Sequence, residues 1–206
     1  MQTIENIMTL APVIPVIVVD DASYAEPLAQ ALVAGGLRAL EVTLRTPVAL
    51  DAIRAMSLVE GALVGAGTVT NQRQLDEALD AGARFIVSPG LTEPLGKAAQ
   101  ARGVPFLPGV ATAGDIMRGL DLGLSHFKFF PAMTAGGLPA LRALAAPFAQ
   151  VRFCPTGGIG PENAAEWLAE PSVLCVGGSW VAPRGRADWA EVERIAREAY
   201  RLNQRA

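Results

Sequence analysis

The chain has 206 residues, of which 51% are hydrophobic and 18% charged, with a formal charge of −3. That balance, without a basic stripe, argues against a nucleic-acid binder, and one His with two Cys cannot furnish a His/Cys zinc site, so a catalytic metal would need carboxylates. The length suits one domain over residues 1–206 with a large core.

The N-terminus carries Glu5 and no basic start, which makes a poor signal peptide. The apolar run Leu10–Val19 is too short to span a membrane and contains Pro12 and Pro15. Cys154 and Cys175 each sit in an apolar run, as free thiols in a reducing cytoplasm would. The segment before Val13 is expected to add an N-terminal helix.

From Val13 onward short β-rich runs recur: "VIPVIVV" from Val13, "RALEVTL" from Arg38, "LVGAGTV" from Leu63 and "FIVSPG" from Phe85. They continue with "FLPGVAT" from Phe106, "HFKFFP" from His126, "RFCPTG" from Arg152 and "LCVGGSW" from Leu174. Several are almost continuously apolar, as strands covered on both faces are. Helical patterns fill the gaps and stop at Gly35-Gly36, Gly82 and Gly123, with Asn71 and Thr112 as N-caps. The phrases "ALVAGGLRALEV", "ALDAGARFIVS" and "GLDLGLSHFKF" repeat the same order of helix end, glycine and strand. A final amphipathic helix is expected over "ADWAEVERIAREAYRLNQR", with Val192, Ile195, Ala199 and Leu202 on its core face. Eight strand-helix units favour an α/β fold of the (β/α)8 TIM-barrel type with the extra N-terminal helix. A doubly wound open sheet is the alternative.

Strand parity selects the candidate site. On the second strand Glu41, Thr43 and Arg45 share a face, and the apolar Val42 and Leu44 suit the helix side. On the sixth strand His126, Lys128 and Phe130 share a face. Glu41, Arg45 and Lys128 would then enter one barrel, either as a structural ion cluster or as a catalytic site. Lys97 and Lys128 are the only lysines. A lysine becomes nucleophilic only as the neutral amine, and lowering its pKa from about 10.4 to roughly 7–8 means destabilising the ammonium by about 3–4 kcal/mol. Neighbouring phenylalanines and Arg45 would push that way, and Glu41 would oppose it unless it stands off. These residue types allow Schiff-base chemistry on a carbonyl substrate.

Glycine loops follow the seventh and eighth strands, "PTGGIGPEN" and "VGGSW". Thr156, Gly157, Gly158, Gly178 and Ser179 offer N–H groups and hydroxyls where barrels of this type often hold phosphate. Thr68 ends the third strand as a hydrogen-bonding group, and Pro89 ends the fourth. His126 opens its strand, at the barrel floor, and reads as structural, as does Cys154. Asp20 and Asp21 read as a loop or cap.

The motifs "ALVAGGLRALEVTLRTP", "VGAGTV", "SPGLTEPL", "HFKFFPA", "QVRFCPTGGI" and "LCVGGSWV" resemble the bacterial 2-keto-3-deoxy-6-phosphogluconate (KDPG) aldolase / 4-hydroxy-2-oxoglutarate aldolase family across nearly the whole chain. The resemblance implies a cytoplasmic class I aldolase on a (β/α)8 barrel, a homotrimer without metal or other cofactor. Such an enzyme cleaves KDPG to pyruvate and glyceraldehyde 3-phosphate in the Entner-Doudoroff pathway, and often 4-hydroxy-2-oxoglutarate to pyruvate and glyoxylate. By motif, Lys128 resembles the Schiff-base lysine and Glu41 the acid/base. Arg45 and Thr68 resemble the residues at the pyruvate carboxylate and carbonyl, with Pro89 and Phe130 in the pocket. Thr156, Gly157, Gly158, Gly178 and Ser179 resemble the substrate and phosphate loops. Arg45 favours the gluconate over the galactonate branch. One departure is Met133, where the family commonly carries glutamate after "FKFFPA". A sugar-phosphate epimerase or isomerase and a catalytically silent scaffold are the rival readings.

Overall fold

Eight strands, all paired in parallel, run through the computed structural model, which describes residues 3–185 and 188–202. They are β1 (Val13–Ile17), β2 (Ala39–Thr43), β3 (Leu63–Gly67), β4 (Ile86–Val87), β5 in two pieces (Phe106–Leu107 and Gly109–Val110), β6 (His126–Phe129), β7 (Arg152–Pro155) and β8 (Val176–Gly178). The helices are α1 (Ile4–Met8), α2 (Ala25–Ala34), α3 (Ala49–Ser57), α4 (Gln72–Asp80), α5 (Glu93–Ala101), α6 (Ala113–Asp121), α7 (Gly137–Ala145), α8 (Ala164–Leu168) and α9 (Trp189–Tyr200). One helix follows each strand, and α1 precedes them all.

The strands close into a ring. β1 pairs with β2 on one side and with β8 on the other, and β2, β3, β4 and the first piece of β5 continue the ladder. Pro108 has no N–H to donate, and it separates the two pieces of β5. The second piece resumes the pairing with β6, and β6 pairs with β7. Bridges from Phe153 to Val173 and from Thr156 to Gly177 join β7 to β8. The chain is therefore a (β/α)8 barrel rather than an open sheet.

The signals that place the helices are local. The Asn71 side chain accepts from the Gln74 N–H, and Thr112 forms a reciprocal capping box with Asp115. Gly36, Gly82 and Gly123 take positive φ just past α2, α4 and α6, where other side chains would be strained. Asp21 caps a short 3₁₀ turn, and Asp20 pairs with Arg184. In α9, Val192, Ala196 and Ala199 are buried, with Ile195 and Leu202 partly so. Of the helix expected there, Ala187 and residues 203–205 lie outside the described residues.

Two apolar layers result. Val42, Phe127, Phe129 and Phe153 belong to the larger one, between strands and helices. Ile14, Ala39, Phe85, Val87, Leu107, Cys154 and Cys175 form the other, inside the barrel, with Ile7 and Met8 of α1 packed among them. Each fully buried Ile, Val, Leu, Met or Phe contributes roughly 1.5–3 kcal/mol. The short α1 is thus a plug that fills the lower end of the ring with side chains the strands do not supply.

His126 stands beside that plug. Its Nδ1 lies 3.1 Å from Ser125 Oγ, its Nε2 is buried without a hydrogen-bond partner among the described residues, and Glu5 of α1 is 4.0 Å away. Burial lowers its pKa, Glu5 opposes that and Arg152 reinforces it. The folded protein therefore binds fewer protons than the unfolded chain below the ordinary histidine value of about 6.5. Stability contributed here is lost as pH falls through that value towards the lower, folded one. Between about pH 7.5 and about pH 5.5 the wild-type melting temperature is expected to fall more steeply than that of His126→Asn. Parallel melting curves would remove His126 as the source.

Candidate active site

β2 and β6 bring Glu41 and Lys128 together inside the ring. Glu41 is 3% exposed and Lys128 5%. Lys128 Nζ donates to Glu41 Oε1 at 2.9 Å and to Oε2 at 3.2 Å. Glu41 therefore does not stand off from the lysine, the condition under which it would have left the amine neutral. The two form a contact ion pair.

Space for that carboxylate comes from β3. A Cβ built on Gly67 would overlap Glu41 Oε1, and one on Gly65 would overlap the Phe85 ring. Glycines two apart on an inward face were a readable signal: they leave gaps that large side chains of the neighbouring strands must fill. Thr43, one step above Glu41 on β2, is fully buried and donates to the Ile17 carbonyl at 2.8 Å.

The phenylalanines divide differently from the sequence expectation. Phe127 and Phe129 alternate outward into the helix-facing layer, where Phe129 lies near Trp167. Phe130 alone shares the face of Lys128, with its ring centroid 5.5 Å from Nζ. Water is kept from the ammonium by Phe130 and by the interior layer below it, not by its sequence neighbours.

Arg45 departs further. Parity put it inside the barrel, but β2 ends at Thr43 and the chain turns, with Arg45 N–H donating to the Thr43 carbonyl at 2.8 Å. Alternation does not extend past a strand end. Arg45 is exposed at the mouth, and its Nε donates to Thr68 Oγ1 at 3.2 Å. Thr68 has φ of 60°, a costly backbone for a β-branched residue and one that surrounding structure must enforce. At the mouth the Thr68 hydroxyl thus accepts from the guanidinium.

Pro89 is exposed on the rim at the end of β4. Buried Ser88 donates its hydroxyl to the Gly90 carbonyl at 2.7 Å and so fixes the turn around Pro89. Thr156 is 6% exposed, and its hydroxyl lies 3.4 Å from the Cys154 carbonyl. Its hydroxyl also fills the space where a Gly177 side chain would stand, so the two glycine loops meet. Gly157 and Gly158 take φ of 105° and 75°, and Ser179 is exposed beyond buried Gly178. Among the described residues the N–H groups of Gly158 and Ser179 have no protein acceptor. Beneath the ion pair Cys175 is fully buried. Burial pushes its thiol well above the ordinary value, and Cys154 and the charge of Glu41 add to the shift, so it stays protonated.

A buried amine touching a carboxylate, with an exposed arginine just past β2 and free N–H groups in the loops after β7 and β8, suits an anionic carbonyl compound. The sequence pattern of the family described as KDPG and KHG aldolase matches residues 4–195. The chain belongs to that family. It is 60% identical over 199 residues to the 2-dehydro-3-deoxy-phosphogluconate aldolase of Zymomonas mobilis, covering 97% of this chain and 96% of that one. The crystal structure of the Z. mobilis KDPG aldolase with 3-phosphoglycerate superposes with a TM-score of 0.95 at 59% identity, covering 97% of this chain and 95% of that chain. A KDPG aldolase from Legionella pneumophila, with pyruvate captured as a covalent carbinolamine, superposes with a TM-score of 0.93 at 45% identity, covering 97% of this chain and 98% of the other.

Proposed function

We propose that this protein is a class I aldolase that cleaves 2-keto-3-deoxy-6-phosphogluconate to pyruvate and glyceraldehyde 3-phosphate, and 4-hydroxy-2-oxoglutarate to pyruvate and glyoxylate. The observation that carries the reading is the buried contact between Lys128 Nζ and the Glu41 carboxylate at 2.9 Å. The amine of Lys128 adds to the C2 carbonyl, and loss of water gives the iminium. Glu41, directly or through a water, takes the C4 hydroxyl proton. The C3–C4 bond breaks, its electron pair passes into the iminium as an enamine, and the aldehyde leaves. The proton on Glu41 returns to C3, and water releases pyruvate and the free amine.

Arg45 pairs with the substrate carboxylate, Thr68 orients Arg45 and the carbonyl end, and Pro89 and Phe130 wall the pocket. Thr156, Gly157, Gly158, Gly178 and Ser179 receive the far end and its phosphate. The two glycine loops support this, since they meet at Thr156 and Gly177 and, among the described residues, carry unengaged N–H groups. A homotrimer in the cytoplasm follows from the family resemblance alone, and a solution mass measurement tests the assembly. Among the described residues no helix is long and apolar enough to cross a membrane.

Borohydride reduction in the presence of pyruvate, followed by peptide mass mapping, tests the mechanism. The adduct is expected on Lys128. The other lysine, Lys97, is exposed on α5 and paired with Glu93. An adduct on Lys97 or none at all would sink the Schiff-base reading and leave an epimerase, an isomerase or a silent scaffold.

A further inference from the structure

The β1–β2 ladder ends at Ile17 and Val42. Beyond it two threonine hydroxyls hold the continuing chains together. Thr43 donates to the Ile17 carbonyl at 2.8 Å, and Thr46 donates to the Val19 carbonyl at 2.5 Å. Val19 is buried, and among the described residues no other protein group donates to its carbonyl. A threonine just ahead of a helix ordinarily caps it. α3 begins without a side-chain cap, so Thr46 spends its hydroxyl on the neighbouring loop instead. Its carbonyl accepts from the Ala49 N–H at 3.2 Å, and Pro47 disfavours helical backbone at Thr46 itself.

Arg45 lies between these two threonines. On the β2 side its N–H donates to the Thr43 carbonyl at 2.8 Å, and the Leu44 N–H donates to the Gly67 carbonyl at 2.8 Å. Among the described residues the next hold along the chain is the Thr46 hydroxyl. The guanidinium is exposed at the end of a long flexible stem, and among the described residues its one protein partner is Thr68 Oγ1. A single bond through Nε fixes one atom of the fork and leaves its direction to the root of the side chain. Where the fork points is therefore set by the backbone of residue 45, and that backbone is held from both ends.

We propose that Thr46 is a positioning residue: its hydroxyl, bonded to the Val19 carbonyl, holds the backbone of Arg45 where the guanidinium meets the substrate carboxylate. The inference rests on the carboxylate role of Arg45 given above. A bidentate pair between guanidinium and carboxylate tolerates little misplacement. The carboxylate at C1 is common to the phosphorylated substrate and to 4-hydroxy-2-oxoglutarate. A misaimed Arg45 therefore penalises both alike, whereas a general loosening of the mouth penalises the longer, phosphorylated one more.

Thr46→Val keeps the branched shape and removes the hydroxyl. It is expected to lower kcat/KM about fivefold for both substrates, mostly through KM. Thr46→Ser returns the donor and is expected to recover kcat/KM to within about twofold of the wild type. In an Arg45→Ala background Thr46→Val is expected to change kcat/KM less than about 1.5-fold, because the side chain it positions is gone. A threonine with a merely structural role would lower kcat/KM by the same factor in both backgrounds. Equal losses in the two backgrounds, a Ser variant as poor as Val, a loss confined to the phosphorylated substrate, or a Thr46→Val protein that is fully active or does not fold would overturn the proposal and leave the aldolase reading intact. An Arg45→Ala variant as active as the wild type would overturn the role of Arg45 and the proposal with it. A wild-type protein that cleaves neither substrate would overturn the aldolase reading as well.

Discussion

Replacing Lys128 with methionine is expected to lower aldol cleavage on the order of 10⁴-fold or more and to abolish the borohydride-trapped pyruvate adduct. Methionine matches the length and apolar stem of lysine, so the lost element is the amine. The substitution has a second consequence that the geometry dictates. Glu41 is 3% exposed and its two oxygens both accept from Lys128 Nζ. Removing one partner of a buried pair leaves the other charge without compensation, typically at a cost of about 3–5 kcal/mol. For a chain of this length that is roughly 10 °C in melting temperature. The double variant Lys128→Met, Glu41→Gln removes both charges and is expected to recover most of that loss while remaining inactive. Chemical denaturation of the wild type, both single variants and the double variant closes the cycle. Substantial cleavage by Lys128→Met would exclude covalent catalysis. A double variant no more stable than Lys128→Met would show that the pair is not what holds this part of the barrel.

Much of the barrel was legible because both of its periodicities are short-range. Continuous apolar runs marked the strands, and glycines with positive φ past α2, α4 and α6 marked the helix ends. Inward parity carried Glu41 and Lys128 correctly from strands 87 positions apart in sequence into one hydrogen bond. The same rule failed for Arg45, because it counted on past Thr43, where the strand stops and the chain turns. It would also have corrected the reading of Phe127 and Phe129: residues next to an inward lysine must face outward, so they dry the helix layer rather than the amine. Distance was the least legible quantity. Whether the carboxylate touched the ammonium or stood off depended on the missing side chain at Gly67, which belongs to another strand. The φ of Thr68 was equally hidden, since a threonine in the left-handed region runs against its own propensity and is imposed by its surroundings.

Glu41→Gln is expected to separate the two things that carboxylate does. Exchange of the pyruvate methyl protons should fall by roughly 10²–10⁴-fold, because an amide cannot take and return a proton at C3. Glutamine nearly matches glutamate in size and fits the gap at Gly67, and its amide oxygen can still accept from Nζ, so the fold should survive. The amine of Lys128 is left in place. Pyruvate adduct formation should therefore persist in this variant, even as exchange stops. Both readouts come from one sample: deuterium incorporation by NMR, and trapped adduct by mass spectrometry after borohydride. Unchanged exchange would remove Glu41 as the base. Loss of the adduct together with exchange would mean that Glu41 is needed to form the iminium, by positioning the lysine or by taking its proton, and not only to move protons at carbon. The contact ion pair makes that distinction necessary: a carboxylate 2.9 Å from the nucleophile can serve either purpose, and adduct formation measured beside exchange distinguishes them.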